Sequence, residues 1–216
     1  MEFFINKTAT FHFEEQLGYY GVAGLDEAGY GAWAGPVAVC AVIINAQLFP
    51  KELAEIVYDS KHLKADLRTF IHDAFTANPD YGVFSVEMVW PKEIEERNVL
   101  QATLCGMERA LLKLTPRPSY ALIDGPRPIP FLAKEIVQHT IIKGDQKSYS
   151  IAMASIIAKV KRDTLMNALH QHYPCYGWDT NKGYGTRKHE AALKAVGPCE
   201  YHRKGYKIKG LLNIEK

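Results

Sequence analysis

Cysteine is scarce in this chain, and its four cysteines lie far apart: Cys40, Cys105, Cys175 and Cys199. No two of them have the close C-x-x-C spacing that is typical of zinc sites. A domain of this size also has enough core to be stable without disulfides. We therefore expect reduced, mostly buried thiols, and the sequence argues against both a disulfide framework and a structural zinc centre.

Long uncharged apolar runs are lacking as well, so we expect no membrane-spanning segment. The first seven residues, MEFFINK, lack the basic and long apolar segments of a signal peptide. The chain has 216 residues, of which 47% are hydrophobic and 23% charged, enough for one good core with a small appendage. These properties predict a cytoplasmic protein, which we expect to be a monomer.

Strand and helix patterns alternate along the chain, which predicts an α/β domain with helices layered on a sheet. The strand candidates are apolar runs bounded by Gly, Pro or Asp: 20–26, 36–44, 82–89, 119–124 and 137–142. The helix candidates are 64–76, 98–114, 148–171 and 187–195. A soft boundary near the turn at 173–177 divides a core domain, 1–172, from a C-terminal region, 173–216.

The first strand candidate ends in two adjacent acids, Asp26 and Glu27, and a glycine-rich stretch follows them. Two uncompensated charges at the end of a buried strand would cost several kcal/mol unless a cation or protons neutralise them. The glycines allow a backbone to come close to a ligand, as phosphate groups require. The pattern indicates metal-dependent phosphate chemistry. The alternative is a strand end with two solvated acids and a glycine-rich turn.

Two more acids follow apolar runs in the same way: Asp124 after 120–123, and Asp145 after 136–142. Ligands of open parallel sheets bind outside the carboxyl ends of the strands, so the four acids are expected to converge there. Hard oxygen ligands with open positions suit Mg²⁺ or Mn²⁺ rather than Zn²⁺ or copper.

A net charge of +2 conceals an uneven distribution. Residues 180–216 carry nine Lys and Arg against three Asp and Glu, whereas the rest of the chain carries 17 against 21. A basic section on an acidic body is the electrostatic footprint of contact with a nucleic-acid backbone. A merely solvated basic face has the same composition.

Six segments resemble ribonuclease HII and occur in that family's order: DEAGYGAWAGPV (26–37), DSKHL (59–63), ERNVLQATLCGM (96–107), DG (124–125), KGDQKSYSIAMASIIAKVKRD (143–163) and NKGYGTRKHEAALKAVGPCEYHR (181–203). They extend over nearly the whole chain. The resemblance implies a ribonuclease H-like mixed five-stranded sheet flanked by helices, with a small helical C-terminal region. It makes 1–172 the catalytic domain and 173–216 the basic substrate-binding region.

The resemblance further implies an endoribonuclease that cleaves the RNA strand of RNA/DNA hybrids. It would also incise 5′ of single ribonucleotides in duplex DNA, giving 5′-phosphate ends, in ribonucleotide excision and DNA replication and repair. The family's metal-site acids fall on Asp26, Glu27, Asp124 and Asp145, which would hold two Mg²⁺ or Mn²⁺ ions during catalysis.

For substrate recognition, the family's GRG tripeptide falls on Gly29, Tyr30 and Gly31, and its ribose-contacting tyrosine falls on Tyr184. Tyrosine therefore stands at position 30 where the family has arginine. A backbone N–H still reads a 2′-hydroxyl, because that group is both donor and acceptor. A phenol does not supply the bidentate grip of a guanidinium on phosphate.

Four further residues are expected near substrate phosphates: Ser60, Lys61, Arg187 and Lys188. Two alternatives stay open at this point. One is a nucleic-acid-binding protein of the same fold with little turnover. The other is a hybrid nuclease whose recognition of the RNA–DNA junction is weakened by Tyr30.

Overall fold

The computed structural model describes residues 9–18, 21–58, 60–130 and 132–204. Five strands form a mixed sheet: β1 (Val22–Ala28), β2 (Val37–Ile44), β3 (Gly82–Val89), β4 (Tyr120–Asp124) and β5 (Val137–Ile141). Their order across the sheet is β3-β2-β1-β4-β5. The β1–β2 and β2–β3 pairs are antiparallel, and the β1–β4 and β4–β5 pairs are parallel. The predicted mixed five-stranded sheet is thus confirmed.

Eight α-helices accompany these strands in the described residues: α1 (His12–Gln16), α2 (Lys51–Ile56), α3 (Ala65–Ala77), α4 (Pro91–Arg97), α5 (Val99–Leu112), α6 (Tyr149–His172), α7 (Trp178–Asn181) and α8 (Arg187–Val196). The four predicted helices correspond to α3, α5, α6 and α8, with ends within two residues. The sequence missed α1, α2, α4 and α7. Each of these has seven residues or fewer, and two turns or less show too little periodicity to be recognised.

The central strands are apolar on both faces because helices cover the sheet on both sides. Successive side chains of a strand point to opposite faces, and β2 shows this in full. Val39 and Ala41 belong to the core cluster that α5 completes, whereas Cys40 and Val42 belong to the cluster that α6 and α3 complete. The sheet therefore lies between two apolar layers.

Helix α6 lies directly against β1, and small residues make this approach possible. A Cβ atom added at Gly24 would lie 2.2 Å from the carbonyl carbon of Ser150, so only glycine fits there. Ala154 and Ala158 continue the tight face of α6 and are fully buried. These small side chains allow α6 to pack closely against the sheet.

The described part of the C-terminal region contains α7 and α8. A separate apolar cluster joins these helices to the end of α6 through Trp178, Leu193 and Met166. Ala34, from the glycine-rich segment, belongs to the same cluster. Residues 205–216, with part of the predicted basic section, lie outside the described residues. The boundary near residue 173 stays a prediction.

All four cysteines are free, as the sequence predicts. Only Cys40 is buried, so the expectation that the thiols are mostly buried is wrong. The reason is local, because Cys175 lies in the exposed turn after α6, and sequence spacing alone does not reveal that exposure. Over the described ranges, no helix has the length and apolarity to cross a membrane.

Candidate metal and nucleic-acid site

The four predicted acids lie at one edge of the sheet. Asp26 and Glu27 lie near the C-terminal end of β1. Asp124 is the last residue of β4, which runs parallel to β1. Asp145 lies in the short 3-10 turn, 144–146, that follows β5, and β5 runs parallel to β4. Because these three strands are parallel, their carboxyl ends meet at the same edge.

Asp26 and Glu27 face opposite sides of the sheet, as neighbours on a strand must. The Asp26 carboxylate is buried and has electrostatic contact with both Glu27 and Asp124. Glu27 instead lines a cavity of ≈ 360 Å³ on the α5 side. Asp124, Tyr30 and Arg127 line the same cavity.

The Asp26 carboxylate does not use all of its capacity to accept hydrogen bonds. Its Oδ1 atom accepts a hydrogen bond of 2.7 Å from the backbone N–H of Glu27. Its Oδ2 atom is buried and has no hydrogen-bond partner among the described residues. Burial raises the pKa of Asp26 well above its ordinary value, and the charges of Glu27 and Asp124 raise it further. Hydrogen bonding of the carboxylate to the Ser155 hydroxyl and to the Glu27 N–H lowers the pKa in part.

The pKa of Glu27 is shifted for similar reasons. Burial, followed by the charges of Asp124 and Asp145, raises its pKa to about 7, although Lys61 opposes the shift. At neutral pH this carboxyl group is therefore partly protonated. A bound cation would restore the ionised form, because opposite charge favours deprotonation.

Asp124 and Asp145 are linked through the turn after β5. The Gly144 N–H donates a hydrogen bond of 2.7 Å to Oδ1 of Asp124. A Cβ at position 144 would lie 2.5 Å from Cδ1 of Ile151, so a larger residue there would have to displace that side chain. The Asp145 carboxylate is buried, and its Oδ2 lies 3.7 Å from the Nζ of Lys61.

The acids influence one another without forming a closed cage. Within the described ranges, no three His, Cys, Asp or Glu side chains already form a group that could hold a metal ion by themselves. Carboxylate oxygens are nevertheless the donors of Mg²⁺, which keeps several of its waters and is bound by one or two carboxylates together with substrate phosphates. The partnerless Oδ2 of Asp26 is the strongest feature in favour of such an ion.

The predicted ribose-contacting elements lie side by side. Gly29, in the left-handed region with φ +91°, begins the glycine-rich turn, and Tyr30 is 38% exposed. The Tyr184 ring is 37% exposed and belongs to the turn before α8. Backbone hydrogen bonds from Trp33 N (2.8 Å) and Ala34 N (3.2 Å) to the Gly183 carbonyl join the two turns.

The other predicted substrate contacts divide into exposed and buried side chains. Lys61, Arg187 and Lys188 are exposed, and Lys61 lies close to the acids. Ser60 is 3% exposed, and its hydroxyl is 2.8 Å from that of Ser155 on α6. The phosphate contact of Ser60 stays a prediction, and the hydrogen bond that the structure gives its hydroxyl is internal.

Two arginines that the sequence analysis did not single out underlie this surface: Arg162 and Arg203, both fully buried. Arg162 donates to the carbonyls of Ala34, Pro36 and Lys182, at 3.1, 2.8 and 2.8 Å. Burial lowers its pKa to about 10, so it stays charged at neutral pH. One signal was available, since position 162 falls on the apolar stripe of the predicted helix 148–171, where a charge is unexpected.

Arg203 donates hydrogen bonds to backbone carbonyls of the same loop. Its Nη2, Nη1 and Nε atoms donate to the carbonyls of Gly29, Tyr30 and Gly35 at 2.7, 2.7 and 3.0 Å. No sequence signal distinguishes Arg203 from its basic neighbours, because its burial depends on how the C-terminal region folds over the loop.

A buried histidine pair supports the turn that carries Tyr184. The Nε2 atoms of His189 and His202 are 3.0 Å apart, and Trp178 Nε1–H also donates to His189 Nε2 at 3.3 Å. His189 Nδ1 therefore carries a proton and donates to the Tyr184 carbonyl at 3.0 Å. Burial lowers both pKa values, that of His202 to about 4, so both rings are neutral.

Comparison with known proteins gives one consistent result. A family model described as Ribonuclease HII matches residues 23–209. A protein named Ribonuclease HII from Chlamydia caviae is 45% identical over 213 residues, which cover 95% of this chain and 92% of that protein. A protein of the same name from a Jannaschia species is 43% identical over 198 residues, which cover 91% and 94%.

Solved structures agree with the sequence comparisons. RNase HII from Archaeoglobus fulgidus, in its complex with PCNA, has a TM-score of 0.72 at 25% identity and covers 88% of this chain and 97% of that one. Ribonuclease H2 from Pyrococcus horikoshii has a TM-score of 0.71 at 29% identity and covers 86% and 93%.

The raised pKa of Glu27 predicts a pH-dependent effect of Glu27→Gln on the metal-free protein. A carboxyl group whose pKa rises on folding stabilises the fold at low pH, and this contribution is lost as the pH rises through about 7. In the presence of a chelator, Glu27→Gln should unfold at a higher temperature than wild type at pH 8, with little difference at pH 5. Glu52→Gln, on the exposed face of α2, is the control. An equal effect of Glu27→Gln at both pH values would contradict the assignment.

Proposed function

The chain belongs to the ribonuclease HII family and is a ribonuclease H, and we propose that it is a metal-dependent endoribonuclease with two kinds of substrate. It hydrolyses the RNA strand of RNA/DNA hybrids and incises duplex DNA on the 5′ side of single embedded ribonucleotides. Four acids at the carboxyl edge of the sheet, one with a buried partnerless oxygen, are the observation that carries the proposal.

We assign the metal site to Asp26, Glu27, Asp124 and Asp145. Their fit to divalent cations rests on three features: oxygen-only donors, an unsatisfied Oδ2 on Asp26, and burial with mutual repulsion, which raise the pKa values of Asp26 and Glu27. When bound, two Mg²⁺ or Mn²⁺ ions would activate a water molecule and stabilise the leaving 3′ oxygen, which yields 5′-phosphate ends.

The protein's own contribution is to hold these carboxylates and to orient the substrate. The Glu27 N–H fixes one oxygen of Asp26, and the Gly144 N–H fixes one oxygen of Asp124. Both acids therefore present their remaining oxygens in a set direction. Lys61, beside Asp145, supplies positive charge at the edge where a phosphate would approach.

Substrate recognition is assigned to the turn at Gly29, Tyr30 and Gly31 and to the ring of Tyr184. No atom lies within 4 Å of a Cβ placed at Gly31, so the turn is open on that side. Backbone N–H groups there suit the 2′-hydroxyl that separates ribose from deoxyribose. Arg187 and Lys188, exposed at the start of α8, would contact backbone phosphates on any sequence.

One observation favours a second candidate function, a nuclease that cleaves hybrids but recognises single ribonucleotides less well. Tyr30 replaces the arginine expected from the family pattern, and a phenol lacks charge for a phosphate. Under this second candidate function, hybrids are cleaved well and single ribonucleotides less efficiently. The two candidates differ in the wild-type ratio of cleavage on the two substrates.

The metal assignment predicts that Asp26→Asn abolishes cleavage while the fold is kept. The amide preserves the shape of the carboxylate but removes one charge and one oxygen donor from the site. Cleavage of a continuous hybrid with Mg²⁺ or Mn²⁺ is the measurement, accompanied by the thermal unfolding midpoint. Asp80→Asn, near the opposite edge of the sheet, should keep both properties. Turnover of Asp26→Asn close to wild type would rule out Asp26 as a ligand.

A substitution at position 30 is expected to strengthen substrate binding rather than weaken it. Tyr30→Arg places a guanidinium beside the glycine-rich turn and should tighten binding to a single-ribonucleotide duplex by ~1.5–3 kcal/mol at most, the range of one charge-assisted hydrogen bond. Tyr30→Phe is the matched control, because it removes the hydroxyl and adds no charge. Equal affinities of Tyr30→Arg and wild type, measured in the same salt, would mean that this side chain does not contact phosphate.

A further inference from the structure

Five of the eight carbonyl oxygens of the glycine-rich loop, 29–36, accept hydrogen bonds from buried guanidinium groups. Arg203 donates to those of Gly29, Tyr30 and Gly35, and Arg162 donates to those of Ala34 and Pro36. Two side chains from distant parts of the chain thus hold both ends of the loop. Neither arginine belongs to the proposed metal site, which consists of the four acids.

The direction of these carbonyls determines the direction of the adjacent N–H groups. In a planar trans peptide the C=O and N–H bonds point in opposite directions. With the Gly29 and Tyr30 carbonyls directed at Arg203, each at 2.7 Å, the N–H groups of Tyr30 and Gly31 must point away from it. A Cβ placed at Gly31 would meet no atom within 4 Å beyond its chain neighbours, so there is open space beside this turn.

Arg162 connects this loop to Tyr184. Its Nη2 donates to Ala34 in the loop, and its Nη1 donates to Lys182 in the turn that carries Tyr184. The Tyr184 ring lies over the same guanidinium, with 5.3 Å between Cζ and the ring centroid. The rigid fork of one arginine therefore sets the spacing between the two elements that face a ribose.

Gly29 shows how tight this arrangement is. A Cβ atom at position 29 would lie 1.9 Å from Nε of Arg162, so the turn rests directly on the guanidinium. The φ of Gly29, +91°, excludes most other residues independently of this contact. A shift of Arg162 would therefore be transmitted to the turn and to Tyr184 together.

We propose that Arg162 and Arg203 are positioning residues that set the register of the substrate, so that a single ribose is held at the bond to be cut. The proposal rests on the proposed function and deepens it. A single ribonucleotide offers one productive register, and misplacing it loses the cut. A continuous hybrid offers a ribose at every step, so a shifted register still meets a cleavable bond.

Arg162→Lys and Arg203→Lys test this inference, because lysine keeps the charge but lacks the planar fork that holds several carbonyls at once. Cleavage efficiency is measured on a single-ribonucleotide duplex and on a continuous hybrid, and the cut position is mapped on the labelled duplex. The ratio of the first efficiency to the second should fall at least about tenfold, since a misplacement of ~1 Å can cost ~100-fold. The cuts that remain should stay on the 5′ side of the ribonucleotide, because only that register is productive.

Two reference variants make the result specific. Tyr184→Ala removes the ring itself and should lower the ratio in the same way. Lys159→Met removes the other cation near that ring, whose Nζ is 5.7 Å from the centroid, and should keep the wild-type ratio. Thermal unfolding of each variant separates a shift in register from a loss of fold.

The outcomes are distinct. A folded Arg162→Lys or Arg203→Lys with the wild-type ratio overturns the positioning role of that arginine. Failure of both lysine variants to fold would also reject it, because the guanidinium groups would then be needed for folding itself. If wild type does not cleave the single-ribonucleotide duplex, the junction activity under the proposed function fails, whatever the variants do.

Discussion

The burial of acidic side chains at the carboxyl edge of the sheet is the constraint on which the rest of the structure depends. The fold places Asp26 under α6 and Glu27 against the α5 layer, and both have raised pKa values because water is excluded and neighbouring charges have the same sign. Without a cation, the folded state tolerates these charges only by partial protonation. The same feature that weakens the metal-free protein at neutral pH makes the edge attractive to divalent ions.

Buried positive charges lie beside the acids. Arg162 and Arg203 are buried, and their guanidinium groups bind backbone carbonyls of the glycine-rich loop. Carbonyl dipoles satisfy the donors of the guanidinium groups, so the charges act on the direction of the backbone. Under the proposed function, the acids would account for cleavage chemistry, whereas the arginines and the histidine pair behind Tyr184 would account for the geometry of recognition.

Much of this architecture could be predicted from the sequence, and the failures share a cause. The five strands are apolar runs bounded by Gly, Pro or Asp, and the four predicted helices each have ten residues or more. Each acid follows an apolar run, so the edge where they meet follows from parallel pairing. Helices such as α7, with four residues, are too short to show a periodic pattern. The roles of Arg203 and Ser60 depend on distant partners, the loop carbonyls and Ser155, which only the folded chain brings together.

The central claim is that the acids at the sheet edge are partly protonated without metal and give up those protons when a cation binds. Calorimetric titration with Mn²⁺ or Mg²⁺, in buffers of different ionisation enthalpy, tests it most directly, since a metal requires deprotonated ligands. At pH 7 the protein should release protons on binding, because Glu27, with its pKa of about 7, is partly protonated there. The release should shrink as the pH rises toward 9. A binding enthalpy at pH 7 that is the same in every buffer would contradict the account.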